Sequence, residues 1–378
     1  MLSNTTNYNR DKEMKRHMTN IINQMFTERN SSTKTKETYL RSIKYYETLT
    51  GHTIEELIQI ADHEETQNIR WKNTMTREWL LKYRDHLYHK YNISTAQLYL
   101  TAILTTYRHH EITIPTLPYY STKGLQRTPP INYNDLPDRE LLTECLTIST
   151  PLVRSIILLM SSSGISRIDL LNLTIQDYLQ ATQDYHDHPE SVKYAIQDME
   201  ETDVIPVFHL RRQKTSQHYF TFCSHEAVKM INSYLLTRKE TLTKDKPLLK
   251  INKRYINTVF EKLNKYFHLG KVGNYNRLRP HMLRKYHASQ LAEAGMPTEH
   301  INILQGRKVT GVAHESYIRV NPDKLRDEYI EALPYLVIED INKFKTENQQ
   351  LKEENQQYRE KEEKINNILE RLERLEKM

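Results

Sequence analysis

Between Arg277 and Pro322 the chain reads RLRPHMLRKYHASQLAEAGMPTEHINILQGRKVTGVAHESYIRVNP, and four of its side chains suit one chemistry. His281 and Arg284 stand three residues apart, a spacing that places both on one face of a helix. Pro280, just ahead, fits a first helical position, where its missing N–H costs nothing. A Gly306-Arg307 pair follows, and Tyr317 comes ten residues after Arg307. A fixed cationic face followed by a tyrosine suggests a phosphate held for attack by a phenol. The plainer alternative is an amphipathic helix with an arginine stretched along its surface and a packed tyrosine.

Positioning these residues needs a scaffold, and the rest of the chain reads as mainly helical. Residues 1–30 form a polar, partly basic arm, and residues 31–114 a helical domain. Leu40, Ile43, Tyr46 and Leu49 recur at helical spacing before Gly51. Thr53-Ile-Glu-Glu56 fits a capping box for a second helix. Thr76 and Ser94 mark the starts expected for a third and a fourth. Lys34, Lys36, Arg41 and Lys44 are candidate phosphate contacts on this domain, though each is equally well an ordinary solvated charge. Residues 115–134, with Pro115, Pro118, Pro129 and Pro130, have linker composition, and Lys123 and Arg127 make them mildly cationic.

Residues 135–337 form a second domain. Val153 to Met160 is a buried helix that runs into SSSGISRIDLLNL, where Arg167 sits at a turn ahead of an apolar amphipathic run. Residues 181–203 are acidic, with the look of an exposed irregular insertion. The segment from Val204 alternates toward Lys214, and His218 to Phe222 alternates away, which predicts a β-hairpin with Lys214 near its turn. Arg211 and Arg212 on the same hairpin are candidate phosphate contacts or charged strand edges. Further helices are predicted from Ser224 to Arg238 and through Ile256, Phe260, Leu263 and Phe267.

In order, Arg167, Lys214, His281-x-x-Arg284, Arg307 and Tyr317 resemble the active-site boxes of the tyrosine recombinases, the phage-integrase family. The family's first box runs Thr-Gly-Leu-Arg, then an acidic residue and Leu-Leu; here Asp169-Leu-Leu-Asn-Leu matches, while the arginine lies one position later after Gly164. Its last box runs His-x-x-Arg, Gly-His, Tyr; here Arg307 replaces the second histidine, and His314 is an alternative for that duty. SSSGISR, QKTSQHYFTF and the Gly-Arg pair look closest to archaeal and archaeal-virus members. The resemblance implies a helical core-binding domain followed by an α-rich catalytic domain with a small β-sheet, the DNA breaking-rejoining fold. It also implies double-stranded DNA as substrate, a 3′-phosphotyrosine intermediate, no metal or other cofactor, and a tetramer on two DNA sites. In these roles Arg167 and Arg284 bind the phosphate, His281 is the base, Lys214 the general acid and Tyr317 the nucleophile. A type IB topoisomerase, a hairpin telomere resolvase, and a non-catalytic DNA-binding coiled-coil protein are the alternatives.

The tail, residues 338–378, changes composition. With Ile341 as position a, the d positions are Phe344, Leu351, Tyr358, Ile365 and Leu372, and Asn348 and Asn355 fall at a, a pattern for a dimerising coiled coil. Formal net charge is +6 over 378 residues, compatible with a polyanionic partner. Two cysteines cannot build a disulfide framework, and no apolar run is long enough for a membrane span. The N-terminal MLSNTTNYNRDKEMKRH has no apolar core of a secretory signal. The expected setting is cytoplasmic, nucleoid-associated, or the host cytoplasm for a viral protein.

Overall fold

The computed structural model of the chain describes residues 20–125, 127, 129–213, 216–307 and 321–338. It divides into two compact units, 1–130 and 131–378, a division that falls inside the 115–134 stretch. No helix among the described residues is long and apolar enough to cross a membrane.

Among the described residues the regular elements of the first unit are helical, chiefly α1 (Asn20–Glu28), α2 (Thr33–Thr50), α3 (Ile54–Thr66), α4 (Met75–Lys90) and α5 (Ile93–His109). Local sequence sets the boundaries. Ser32 caps α2 by accepting the Thr35 N–H, and Gly51 ends it at φ 77°, where a Cβ would be strained. The Thr53–Glu56 capping box opens α3 as its sequence predicts. Two starts differ from expectation. Thr74, not Thr76, caps α4, because the Thr76 hydroxyl is spent on the buried Glu64 carboxylate at 2.6 Å. Asn92, not Ser94, caps α5. Helix α1 lies in what reads as a polar arm; its Ile22, Met25 and Phe26 share one face and are buried, a stripe the surrounding polar residues mask. Tyr46, Tyr83 and Tyr107 fill the core, and the Tyr46 and Tyr107 hydroxyls satisfy each other at 3.2 Å.

The second unit begins with α6 (Arg139–Thr147), α7 (Pro151–Ser163), α8 (Arg167–Asn172), α9 (Ile175–Ala181) and α10 (Val192–Asp198). Strands β1 (Val207–Arg211) and β2 (His218–Phe222) follow, then α11 (His225–Thr237), α12 (Lys253–Tyr266), β3 (Lys271–Val272) and β4 (Tyr275–Asn276). Helices α13 (Pro280–Glu293), α14 (Thr298–Leu304) and α15 (Pro322–Leu336) close it. Helix α7 is the axis: Ile156 to Ser163 are all buried, and α11 and α13 pack on it. Its three serines, Ser161, Ser162 and Ser163, are tolerated inside because each hydroxyl donates to a carbonyl of Leu158 or Leu159 on the helix itself.

β1 and β2 pair antiparallel, Val207 opposite Phe222 and Arg211 opposite His218, as the alternation predicts. The 181–203 segment is less irregular than its acidic composition suggests. Val192, Ala195, Ile196 and Met199 recur at helical spacing and are buried, so α10 belongs to the core. The β3–β4 ribbon, with Val272 opposite Tyr275, has no counterpart in the sequence reading. Among the described residues the unit is thus mainly α with two small two-stranded sheets.

Candidate active site

Helix α7 stops at Gly164, φ 61°, and the stop is chemically specific. A Cβ on Gly164 would lie 2.5 Å from His287 Nδ1, so only glycine lets the chain turn there. The Gly164 carbonyl accepts from Arg284 Nη1 at 2.5 Å. A second carbonyl, that of Gln305, accepts from Arg284 Nη2. The Gln305 side chain returns the bond, donating from Nε2 to the Arg284 carbonyl at 2.9 Å and to His287 Nδ1 at 3.0 Å. Arg284 is therefore clamped from both ends, guanidinium and main chain, by the C-terminal turn of α14. Burial, then the charges of Arg307 and Arg212, push its pKa down to about 10, still well charged at neutral pH.

That turn follows from local sequence. The Gly306 N–H bonds the Ile303 carbonyl and the Arg307 N–H the Asn302 carbonyl, both at 2.8 Å, a Schellman end with glycine in the left-handed region. A Cβ at Gly306 would stand 2.7 Å from the Tyr219 ring. The Gly306 carbonyl accepts from Arg212 Nη1 at 2.6 Å. Consecutive carbonyls, 305 and 306, thus hold Arg284 and Arg212, and Arg307 is the next residue. Burial and then the Arg212 charge lower the Arg307 pKa. Ion pairs among the described residues use other side chains; Arg212, Arg284 and Arg307 are in none.

His281 sits in the first turn of α13, one helical step from Arg284, and keeps an exposed edge. Desolvation by the packed atoms around it, then the charges of Lys285, Arg279, Arg284 and Arg307, lower its pKa. It is neutral at pH 7, the form that accepts a proton. His287, wholly buried, is pushed down to about 3 by desolvation, with Arg284 and Arg307 adding to the effect.

Asp169 ties the hairpin to the turn after α7. Buried in α8, it accepts from the Ser166 hydroxyl at 2.8 Å, the Gln213 N–H at 3.1 Å and the Tyr219 hydroxyl at 3.2 Å. Gln213 is one residue from Lys214, so the root of the hairpin turn is fixed even though Lys214 itself lies outside the described residues, as do Tyr317 and His314.

The predicted residues are thus distributed unevenly. His281, Arg284 and Arg307 are brought together. Arg167, the first residue of α8, donates from Nη1 to Asn257 Oδ1 on α12 at 2.6 Å, and the charges lowering Arg284 are those of Arg307 and Arg212. Arg212, read from sequence as a phosphate contact or a charged strand edge, stands inside the cluster; its place two residues before Lys214 marks it as near the site but not which way its side chain turns. Arg211 stays exposed, with Nε 3.4 Å from the Ser216 carbonyl. Lys34 pairs with Glu37 at 2.9 Å, Lys36 lies over the Phe26 ring at 5.9 Å, and Arg41, Lys44, Lys123 and Arg127 are exposed. Asp169, the acidic residue of the first box, is a positioning group, as are Gln305 and His287, which have no sequence signature of their own.

A cluster of unpaired guanidiniums beside a neutral histidine defines a site for an anionic phosphoester, in an α-rich domain with a β-hairpin beside it. Residues 139–324 match the phage integrase family model, and this domain of the chain belongs to that family, the tyrosine-type site-specific recombinases. No curated protein sequence matches it. Among solved structures it is similar to the XerH site-specific recombinase bound to its difH substrate before cleavage, at 14% identity over 81% of this chain and 82% of that one, TM-score 0.48. It is also similar to the Tn1549 transposon integrase with transposon right-end DNA, at 14% identity over 83% and 98%, TM-score 0.49. A lambda integrase tetramer on a Holliday junction matches at 14% identity over 78% and 77%, TM-score 0.43.

Proposed function

We propose that the chain cuts and rejoins double-stranded DNA at specific sites through a covalent 3′-phosphotyrosine at Tyr317. The observation that carries this is the gathering of Arg284, Arg212 and Arg307 beside His281, none of them in an ion pair among the described residues, while the nearby Asp169 carboxylate acts on Arg284 less strongly than the Arg307 charge does. Guanidiniums held on carbonyl oxygens are preorganised donors for equatorial phosphate oxygens, and being fixed beforehand they need not reorganise as charge develops.

In the step proposed, Tyr317 Oη forms a bond to phosphorus as the bond from phosphorus to the 5′-oxygen breaks. The phenol proton passes to His281, and Lys214 protonates the leaving 5′-oxygen. Rejoining reverses this with a 5′-hydroxyl as nucleophile, so the bond energy is conserved in the phosphotyrosine. Arg167 gives one N–H, from Nη1, to Asn257, and its other N–H groups are the donors for the phosphate role the family resemblance implies. The DNA complexes named for XerH, the Tn1549 integrase and the lambda integrase tetramer support DNA as the partner here and assembly of several protomers on it. The protein would then act where the DNA is, in the cytoplasm of its cell or host.

Incubation with DNA carrying a nick next to the cleavage site should trap a covalent adduct, because the short product diffuses away. Tyr317→Phe should abolish that adduct. An adduct that persists in Tyr317→Phe and disappears instead in Tyr286→Phe would sink the assignment.

A further inference from the structure

The turn that ends α14 gathers three guanidiniums by two different means. Its carbonyls at Gln305 and Gly306 hold Arg284 and Arg212, and its next residue is Arg307. Arg212 is fixed at both levels. Its N–H donates to the Gln217 carbonyl and its carbonyl accepts the Ser216 N–H, both at 2.8 Å, so the backbone is set by the hairpin. Its side chain spans from the hairpin to Gly306, which a bare charged strand edge would have no reason to do. Only one of its five guanidinium N–H groups is used there.

The turn after α7, where the family resemblance looks for an arginine, is organised differently. Ser166, two residues after Gly164, is committed as the cap of α8, accepting the Asp169 N–H at 3.3 Å and donating to the Asp169 carboxylate at 2.8 Å. Arg167 then begins the helix with its guanidinium on Asn257 of α12. The positive charges that lower the Arg284 pKa are those of Arg307 and, from the hairpin, Arg212.

We propose that Arg212 is a catalytic residue of this recombinase: it supplies the second guanidinium to the non-bridging oxygens of the scissile phosphate, beside Arg284. This rests on the recombinase reading above. Like charges brought this close repel, and Asp169, already accepting from Ser166, Gln213 and Tyr219, offsets them only in part at Arg284, so a phosphodiester that enters supplies the further negative charge. Arg167, anchored on Asn257, then contributes to packing of α8 on α12 and to the protein's general charge more than to the transition state.

The test compares wild type, Arg212→Ala, Arg212→Lys and Arg167→Ala on two nicked substrates, one with a normal scissile phosphate and one with a methylphosphonate there. The methylphosphonate replaces a charged non-bridging oxygen by a neutral methyl group, so the cation that neutralises that oxygen is no longer needed. On the phosphate, Arg212→Ala should slow adduct formation at least 100-fold, in line with loss of one preorganised donor, while mobility-shift affinity falls only a few-fold. On the methylphosphonate its deficit should shrink to less than about 10-fold, and Arg212→Lys should recover part of the phosphate rate because the charge remains. Arg167→Ala should lose less than about 10-fold on the phosphate. An Arg212→Ala protein within about 5-fold of wild type on the phosphate, or one equally defective on both substrates, would overturn the assignment, as would methylphosphonate rescue of Arg167→Ala in its place. If wild type itself forms no adduct on either substrate, the recombinase reading fails and the assignment with it.

Discussion

His287 shows how one buried side chain sets the state of its neighbours. Its Nδ1 accepts from the Gln305 amide, which fixes the neutral tautomer with the proton on Nε2. A protonated ring would leave that amide donor facing another donor and bring a third positive charge against Arg284 and Arg307. The folded pKa of about 3 lies below the ordinary histidine value near ~6.5, so the unfolded chain takes up this proton first as the pH falls. Stability attributable to His287 is therefore fully present above about pH 6.5 and is lost progressively between there and about pH 3. Denaturant unfolding at pH 7 and pH 5 should show a loss about 2 kcal/mol larger for wild type than for His287→Asn, which cannot charge. An equal loss in both would mean that the ring is protonated in the folded protein. At the same scale, Lys214 is assigned as the acid by resemblance and by the fixed root of its hairpin. Replacing the 5′-bridging oxygen by sulfur gives a leaving group that needs no proton, so it should rescue Lys214→Ala but not Arg284→Ala. Equal defects on both substrates would remove Lys214 from that role.

At the level of elements, the site is made by ends rather than by bodies: the end of α7, the end of α14, the start of α13 and the mouth of the β1–β2 hairpin. Helix ends expose carbonyls, and here two of them solvate Arg284 and a third holds Arg212. Gly306→Ala tests this. The substitution adds a left-handed strain of about 1–2 kcal/mol and presses a methyl on the Tyr219 ring, which backs the hairpin. Thermal unfolding should move down by several degrees, and adduct formation should fall more than DNA binding does, because the Gly306 carbonyl no longer holds Arg212. A fall in stability with catalysis untouched would show that the turn and the cluster are independent.

These ends also explain what sequence could and could not convey. Pro280 at the first turn of α13, the Thr53 capping box and the alternation of β1 and β2 are local patterns, and all three are read directly from residue types. The Gln305 and Gly306 carbonyls are backbone groups that every residue carries, so nothing in the sequence marks them as ligands for arginines about twenty and ninety residues away. Helix α10 is hidden by the acidic residues that flank it, since composition over 181–203 outweighs four apolar positions at helical spacing. Whether Arg212 turns toward solvent or toward α14 is settled where strand alternation has already ended, beyond the reach of a period-two pattern.

On the scale of the whole molecule, the candidate active-site elements occupy the second unit, and the heptad pattern from Ile341 onward is not needed to build them. That tail lies outside the described residues, and its reading rests on its sequence. We propose that it pairs with a second copy of itself. Its apolar d positions make a narrow seam, too thin to cover a globular face of its own chain but suited to a helix of the same pattern. Asn348 and Asn355 at a positions cost stability yet favour a parallel pair, in which each can bond its counterpart across the axis. Strand exchange between two DNA sites needs protomers brought together, and a tether raises their effective concentration without adding any contact at the catalytic centre. Truncation after Asp340 should therefore leave adduct formation on a single nicked site at the full-length rate. The same truncation should lower the association state seen by analytical ultracentrifugation and slow recombination between two sites, most steeply at low protein concentration. A truncated protein that associates as strongly as the full chain would assign the tail to another partner, and one that loses single-site cleavage as well would place the tail's contribution within the catalytic step.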